Sequence, residues 1–273
     1  EPLFRDRDGR MTECPSCRAW FVWPPPQSAD VVAHYDQNVA GMPGDLRRWR
    51  SDTVQDEWYG VLTRRIGEAA HERGLANPAA IVDIGAGGLE LTARLAEAFP
   101  RAEVEAWDMF ADGADRGLPP ALAGRVSTRH IDLNQIDARE PVRDSFDIVV
   151  CVAVIEHVLD PAALLRLIRS ITAPRGFAYV VGPEVTSIAH RMLRHRWPYY
   201  CPDEHLTLPS LRSIEAALES LEGSYELRRV NVHYSLRYLM RFLRIPVPVP
   251  APLDFLLPIP SGAFELIWDR TSR

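Results

Sequence analysis

Short apolar runs alternate with helix-like segments along most of the chain. Runs dense in valine, isoleucine and alanine predict buried β-strands at residues 80–84, 102–107, 125–131, 146–152 and 176–181. Apolar residues that recur every three or four positions predict helices at residues 51–73, 89–99 and 161–171. Because strands that are apolar throughout have both faces covered, this alternation indicates a parallel sheet between two layers of helices.

The last third of the chain continues this pattern. A helix is predicted at residues 208–221, and two further strands are predicted at residues 225–232 and 263–269. These strands bring the sheet to seven. We therefore predict an α/β, Rossmann-like fold with a mostly parallel seven-stranded sheet and helices on both faces.

Two segments depart from the alternation. The N-terminal stretch contains Pro24-Pro25-Pro26, which fits neither a helix nor a central strand, and is predicted to be a small irregular appendage. Arg237, Arg241 and Arg244 form one charged stripe in an apolar, proline-rich stretch, which is typical of an amphipathic helix. We divide the chain into an appendage, a main domain, a lid loop and a C-terminal insertion: residues 1–45, 46–273, 184–209 and 234–261.

Composition narrows the chemistry. All 31 basic residues are arginine, which excludes a Schiff-base lysine and a Walker-type phosphate loop. The net charge of −6 argues against a nucleic-acid surface. No apolar run approaches the ~20 residues of a membrane span, and no signal-peptide pattern opens the sequence. Four cysteines do not make a disulfide scaffold, so a reducing, cytoplasmic location is expected.

The strongest local signal is the glycine-rich turn that follows the first predicted strand of the main domain. It reads Asp83-Ile84-Gly85-Ala86-Gly87-Gly88, and glycines there let a ligand approach the backbone at a helix N-terminus. Asp108 ends the next strand, where an acid can bind both hydroxyls of a ribose. A dinucleotide fingerprint requires a glycine at position 90, but Glu90 stands there and would oppose a pyrophosphate.

These residues resemble the class I S-adenosylmethionine-dependent methyltransferases. The family's first motif is an acid followed by G-x-G-x-G, with Leu89 here in place of the third glycine. The segments His130-Ile131-Asp132-Leu133 and Val154-Ile155-Glu156-His157-Val158 are similar to later family signatures. The resemblance implies that S-adenosylmethionine is the cofactor and S-adenosylhomocysteine the product. The residues implied to bind it are Asp83, Gly85, Ala86, Gly87, Asp108, Met109, Asp132, Leu133 and Cys151.

The N-terminal segment resembles part of a zinc ribbon found in one methyltransferase subgroup. Cys14-x-x-Cys17 matches the second half of that ribbon, whereas a structural zinc site needs four ligands. Cys151 and Cys201 lie in other segments. We therefore predict no metal site, and zinc binding is not expected unless further ligands precede Glu1.

Two histidines lie where the topology points at the cofactor. His157 follows the fourth strand of the main sheet, and His205 lies in the lid loop. Either could remove a proton from an acceptor hydroxyl, because histidine titrates near neutral pH. The alternative for His157 is a structural hydrogen bond within its loop.

Five residues are candidates for substrate contact. Glu156 and Glu184 follow strands at the carboxyl edge of the sheet, and Glu156 is alternatively a helix N-terminal carboxylate. Trp197 and Tyr200 either form an aromatic lid over the substrate or pack within their own loop. Tyr35 reaches over the cofactor if the subgroup resemblance holds.

Together these features predict methyl transfer from S-adenosylmethionine to a small molecule, with secondary metabolites or sugars as the acceptor class. Oxygen is the favoured acceptor atom, and carbon and nitrogen remain alternatives. The rivals from other classes are an NAD-dependent oxidoreductase and a non-catalytic ribbon-type binding protein. Neither a nucleic-acid partner nor a membrane span is expected, and a homodimer through the N-terminal or C-terminal apolar segments is left open.

Overall fold

The computed structural model describes most of the chain. The described residues are 10–31, 33, 53–109, 120–122, 124–135, 145–237, 240, 245, 248–250, 253 and 256–271. Their strands are β1 (Met11–Glu13), β2 (Trp20–Val22), β3 (Ala80–Ile84), β4 (Glu103–Asp108), β5 (Val126–His130), β6 (Phe146–Val152), β7 (Thr172–Pro183), β8 (Thr207–Leu208), β9 (Ser224–Ser235) and β10 (Leu256–Asp269). Their helices are α1 (Thr53–Glu72), α2 (Glu90–Ala98), α3 (Pro161–Ile171), α4 (Ile188–Leu193) and α5 (Leu211–Leu218).

The main sheet has seven strands in the order β5-β4-β3-β6-β7-β10-β9, which confirms the predicted Rossmann-like fold. The five strands from β5 to β7 run parallel, and β10 is antiparallel to both of its neighbours. Ile84 lies opposite both Trp107 and Cys151, so β3, β4 and β6 end at nearly the same level. The loops that follow these strands therefore meet at one carboxyl edge, where open α/β sheets bind their ligands.

Helices cover both faces of this sheet. Neighbouring residues of β3 belong to different cores, with Ile81 in one and Val82 in the other, because side chains alternate along a strand. The Val82 core includes Leu165 of α3 and Ile214 of α5, whereas the Ile81 core includes Ile66 of α1. Within the described ranges, no helix is both long and apolar enough to cross a membrane.

The helix α3 shows how local sequence sets an element's bounds. The Asp160 side chain accepts a hydrogen bond from Ala163 N at 2.9 Å, and Pro161 occupies the first turn, where no backbone N–H is needed. The helix begins at Pro161 as predicted. The backbone turns to an extended conformation at Thr172.

The N-terminal segment contains a strand pair where the sequence predicted irregular structure. β1 and β2 pair antiparallel, and β2 pairs in turn with β8, so this small sheet joins the N-terminal segment to the lid region. Cys17 O also accepts a hydrogen bond from Ser210 Oγ, the N-cap of α5. These strands are three residues or fewer, and the pattern along them is too short to be read without their partners.

The C-terminal hairpin is longer than its hydrophobic pattern predicted. β10 begins at Leu256 rather than residue 263, and its first residues pair with the end of β9 across an irregularity between Ile259 and Ala263. Both ends of the predicted insertion 234–261 therefore belong to strands. Of the arginine stripe within it, Arg237 is exposed, whereas Arg241 and Arg244 lie outside the described residues.

A buried ion cluster ties β7, β9 and β10 to α1. Glu265 is fully buried in β10 and accepts hydrogen bonds from Tyr179 Oη at 2.6 Å, Arg65 Nη1 at 3.1 Å and Arg228 Nε at 2.8 Å. Each carboxylate oxygen is thus paired, which offsets the cost of burying the charge. The same carboxylate raises the pKa of Tyr179, after the larger effect of burial.

Replacing Glu265 by alanine should lower the free energy of unfolding by about 3 kcal/mol, because the Tyr179 hydroxyl and two guanidinium groups lose their buried acceptor. Urea denaturation measures this. The matched control is Glu226→Ala, whose exposed carboxylate lies 3.3 Å from Arg73 and should change stability by less than ~1 kcal/mol. Equal effects in the two variants would contradict a stabilising role for the buried cluster.

Candidate active site

A glycine-rich turn links β3 to α2 at the carboxyl edge. Gly85 and Gly87 have φ angles of 70° and 52°, in the left-handed region that suits glycine. Gly85 N and Ala86 N both donate to Trp107 O, at 2.7 and 3.2 Å, which fixes the turn to the adjacent strand. Leu89, at the position of the family's third glycine, also has a positive φ of 69°. The turn therefore keeps a glycine-like backbone there despite the substitution.

Position 85 also has no room for a side chain. A Cβ atom at this position would overlap the Val154 side chain, which belongs to the loop after β6. A Cβ at Gly87 would meet nothing within 4 Å, so open room adjoins the turn there. This open, side-chain-free stretch fits a cofactor that lies against the backbone.

Asp83 is buried beneath the turn. It is 2% exposed and accepts a hydrogen bond from Thr92 Oγ1 of α2 at 2.6 Å. Burial, with a smaller contribution from the nearby Asp108 charge, raises the pKa of Asp83 to about 7. A carboxyl group with such a shifted pKa at a strand end is characteristic of a functional site.

Asp108 meets the turn from the next strand. Its Oδ2 accepts a hydrogen bond from Gly87 N at 2.9 Å, so the acid that ends β4 touches the glycine loop itself. Met109 follows it in a turn and is half-buried. The sequence-predicted ribose acid and the glycine turn are thus in direct contact.

The loop after β5 closes the same edge. Asp132 is half-buried and accepts hydrogen bonds from Asn134 N at 2.9 Å and Gln135 Nε2 at 2.6 Å, which shape the turn, and Leu133 packs against the core. Asn134 Oδ1 accepts a hydrogen bond from Leu159 N at 2.8 Å and so joins this loop to the one after β6. Cys151, the last predicted cofactor contact, is fully buried in β6, and burial raises its pKa well above the usual value.

The two predicted histidines lie together. The rings of His157 and His205 are 4.7 Å apart between centroids and meet edge to face. One nitrogen of each ring and one carboxylate oxygen of Glu156 all lie within 4.8 Å of one another. Residues from the loop after β6 and from the lid are thereby joined in one cluster, which we call the EHH cluster (Glu156, His157 and His205).

Hydrogen bonds to backbone carbonyl oxygens hold the lid against this loop. Thr207 N donates to Glu156 O at 3.1 Å. His157 Nδ1 lies 2.9 Å from Glu204 O, and His205 Nδ1 lies 2.6 Å from Tyr199 O. Because a carbonyl oxygen only accepts, each Nδ1 carries the proton, and the lone pair of each neutral ring is on Nε2. Burial lowers the pKa of His205.

Glu156 is the most unusual residue of the cluster. It is 1% exposed, and its Oε2 atom has no hydrogen-bond partner among the described residues. Burial raises the pKa of Glu156 to about 8. A buried carboxyl oxygen without a partner is costly, so its presence here indicates a functional rather than a stabilising role.

Two predicted substrate residues, Glu184 and Trp197, have other surroundings. Glu184 is fully buried, and its two carboxylate oxygens are bound by Thr186 and by Arg229 Nε at 2.8 Å. Trp197 is 1% exposed and packs in a core with Met11 and Leu208. For both residues the structure favours support of the lid over substrate contact. Tyr35 lies outside the described residues.

Tyr200 remains a candidate. It is half-buried, and its hydroxyl is buried without a hydrogen-bond partner in the described part of the chain. Sequence reasoning missed Thr92 and Asn134, which hold Asp83 and the loop after β6 in place. No local pattern marks either residue, because each acts on a partner in another segment.

Known proteins resemble this chain in sequence and in fold. Residues 46–221 match the family model described as a methyltransferase domain, which is more than half of the chain. The chain belongs to the class I S-adenosylmethionine-dependent methyltransferases. The predicted family, enzyme class and cofactor are thereby confirmed.

Curated relatives of this methyltransferase are distant. It is similar to a ubiquinone biosynthesis O-methyltransferase of Xanthomonas campestris pv. campestris, with 26% identity over 82% of this chain and 98% of the relative. The corresponding protein of Acinetobacter baumannii is 27% identical over 36% of this chain, and the match spans only 41% of that relative's length.

Solved methyltransferases share the fold. The plantazolicin methyltransferase BpumL in complex with SAH aligns with a TM-score of 0.57 and 12% identity, covering 89% of this chain and 95% of that one. A 1,6-didemethyltoxoflavin-N1-methyltransferase of Burkholderia thailandensis aligns with a TM-score of 0.54 and 14% identity, covering 98% and 99%.

The two glycines should differ in their response to alanine. Gly85→Ala should destabilise the methyltransferase by about 3 kcal/mol, because strain at positive φ adds to overlap with Val154. Gly87→Ala should cost only about 1 kcal/mol, since only the strain remains.

A double-mutant cycle measured by urea denaturation separates these terms. In a Val154→Ala background the cost of Gly85→Ala should fall to about 1 kcal/mol, because the overlapping methyl groups are gone. An unchanged cost in that background would show that Val154 does not limit the turn.

Proposed function

We propose that this methyltransferase acts on a hydroxyl oxygen of a small-molecule acceptor that binds between the glycine turn and the lid. The observation that carries the proposal is the EHH cluster, which presents two imidazole rings beside a buried carboxyl group at the edge where the cofactor turn also lies. An acceptor hydroxyl must lose its proton during methylation, and a neutral imidazole removes a proton readily near pH 7.

The glycine turn and Asp108 are the part of the site that would bind the cofactor. The methionine part of the cofactor would lie against the glycine turn at residues 85–87, and Asp108 would accept hydrogen bonds from the ribose hydroxyls. When bound, S-adenosylmethionine supplies a methyl group activated by the adjacent sulfonium. The chain's task is therefore alignment of the acceptor and exclusion of water.

The lid histidine is suited to act as the base. Burial lowers the pKa of His205, so the ring is neutral near pH 7 and can accept a proton. The hydrogen bond from His205 Nδ1 to Tyr199 O fixes the ring's orientation and leaves Nε2 as its basic atom. His157 is fixed in the same way by Glu204 O.

The relatives support oxygen and a small acceptor. The curated relatives are named O-methyltransferases of ubiquinone biosynthesis, and two structural neighbours are named for plantazolicin and for a toxoflavin precursor. One of those neighbours is an N-methyltransferase, and nitrogen is therefore the second acceptor atom to test. An acceptor among hydroxylated secondary metabolites fits both groups of names.

NAD is disfavoured as the ligand of the turn. The Glu90 carboxylate folds over Gly88, where a Cβ atom would lie 2.5 Å from Glu90 Oε2. This negative charge stands at the N-terminus of α2, the position that a pyrophosphate takes in dinucleotide-binding folds.

Asp108→Ala should weaken S-adenosylhomocysteine binding about 100-fold, because two charge-assisted hydrogen bonds to the ribose are worth about 3 kcal/mol. Isothermal titration calorimetry with S-adenosylhomocysteine and with NAD measures this. Asp160→Ala, an exposed helix cap, is the control and should bind normally. Heat with NAD alone, or an unchanged affinity in Asp108→Ala, would contradict the cofactor assignment.

His205→Ala should lower kcat about 100-fold or more while S-adenosylhomocysteine affinity changes less than about threefold, as expected for loss of a general base. The assay follows S-adenosylhomocysteine release with a panel of hydroxylated aromatic acceptors, and the exposed His195→Ala is the control. Full activity in both His157→Ala and His205→Ala would remove histidine from the mechanism.

A further inference from the structure

We propose that the EHH cluster binds a divalent transition-metal ion at the carboxyl edge of the sheet. The sequence predicted no metal site, since its cysteine pair supplies only half of a zinc ribbon. The fold creates a different donor set by bringing the lid histidine to the Glu-His pair after β6. This proposal rests on the proposed function for its chemical purpose, with the ion taking the place of the histidine base in activating the acceptor hydroxyl, but not for its geometry.

The three donor atoms are close enough to share one ion. One atom from each of Glu156, His157 and His205 lies within 4.8 Å of the other two. Donors around a tetrahedral zinc ion at about 2.1 Å lie ~3.4 Å apart. Small side-chain rotations would therefore bring all three into coordination.

The rings are oriented as in known metal centres. Metal-bound histidines usually donate their second ring N–H to a backbone carbonyl or a carboxylate, which fixes the tautomer. Both rings of the cluster have this arrangement, with Nδ1 against Glu204 O at 2.9 Å for His157 and against Tyr199 O at 2.6 Å for His205. The nitrogen that would coordinate the ion is then Nε2 in each ring.

The Glu156 side chain gives an indication of a bound ligand that is independent of the two histidines. Glu156 is 1% exposed, and its Oε2 finds no hydrogen-bond partner in the ranges that the structure describes. By contrast, both carboxylate oxygens of the buried Glu184 and Glu265 are paired within the chain. A cation in the cluster would satisfy the one buried carboxyl oxygen that the fold leaves unsatisfied in this loop.

The donor set selects the class of ion. Two imidazoles and one carboxylate favour Mn²⁺, Fe²⁺, Co²⁺, Ni²⁺ or Zn²⁺ over Mg²⁺ and Ca²⁺, which prefer oxygen ligands. Three protein ligands leave at least one coordination position open, as in catalytic metal sites. Cys14 and Cys17 lie in the turn between β1 and β2 and would bind metal through sulfur, which is spectroscopically distinct.

The ion would act on the acceptor oxygen. A metal at an open position lowers the pKa of a bound hydroxyl, so its O–H bond breaks and the proton passes to solvent. The oxygen then forms a bond to the methyl carbon while the carbon–sulfur bond of the sulfonium breaks, which leaves neutral S-adenosylhomocysteine. No electrons are gained or lost overall, so a redox-inactive ion such as Zn²⁺ suffices.

The test uses tag-free protein carrying Cys14→Ser and Cys17→Ser, stripped with EDTA and dialysed. Calorimetric titration with Zn²⁺ should show one ion per chain. His205→Ala and Glu156→Gln should each weaken binding by about tenfold or more, because each removes one of three ligands. His195→Ala, an exposed histidine outside the cluster, should bind as the parent does. Equal affinity in the parent, His205→Ala and Glu156→Gln would overturn the proposal.

A second measurement does not depend on the folding of any variant of the EHH cluster. Co²⁺ bound to the parent protein should give visible d–d absorption without the near-ultraviolet band of thiolate ligation, and X-ray absorption should show nitrogen and oxygen ligands only. Sulfur ligation by Cys151 or Cys201, or no bound Co²⁺ after dialysis, would overturn it.

Titration of the same metal-free sample with S-adenosylhomocysteine separates this proposal from the proposed function. Cofactor binding without Zn²⁺ binding rejects the metal site and leaves methyl transfer with a histidine base. Zn²⁺ binding at the cluster without cofactor binding rejects the proposed function and retains the metal site.

Discussion

Hydrogen bonds between two loops hold the site together. Thr207 N donates to Glu156 O, and His157 Nδ1 donates to Glu204 O, so the lid is bound to the loop after β6 at two points. The same contact places His205 beside His157. It also positions β8, the strand on which β2 pairs, so the N-terminal sheet depends on it as well. Without this junction, no histidine from the lid would lie near the proposed acceptor position beside the cofactor turn.

Buried carboxyl groups show which parts of the fold serve stability and which serve chemistry. Glu265 and Glu184 are buried but fully paired with arginine, tyrosine and threonine partners. Asp83 and Glu156 are equally buried, yet burial raises their pKa values to about 7 and about 8. The charged form of each group is poorly compensated, and burying such a carboxyl group costs stability. Both lie at the carboxyl edge, where ligands bind in this class of fold.

The fold could be predicted where local signals are strong. β3, β6 and α3 have the bounds that their apolar runs and the Asp160-Pro161 cap indicated. β7 and β10 extend beyond their apolar runs, because pairing with a neighbouring strand continues a strand past its hydrophobic centre. Tertiary context of this kind is absent from the local pattern.

The cofactor half of the site could be predicted from the sequence, because its residues form a recognisable motif. The turn at Gly85 and the acid Asp108 belong to a local motif, and the structure places them in contact. The role of Trp197 as a substrate contact stays a prediction, and the local pattern does not show that Met11 and Leu208 pack with it in one core. The meeting of His157 with His205 depends on how the lid folds back, and neither segment alone contains that information.

The most direct test of this account is a crystal structure of the protein with S-adenosylhomocysteine bound. The account predicts the ligand along Gly85–Gly87, its ribose hydroxyls on Asp108, and its sulfur atom facing the EHH cluster across the acceptor space. A ligand bound outside the glycine turn, or a sulfur atom directed away from Glu156, His157 and His205, would contradict it.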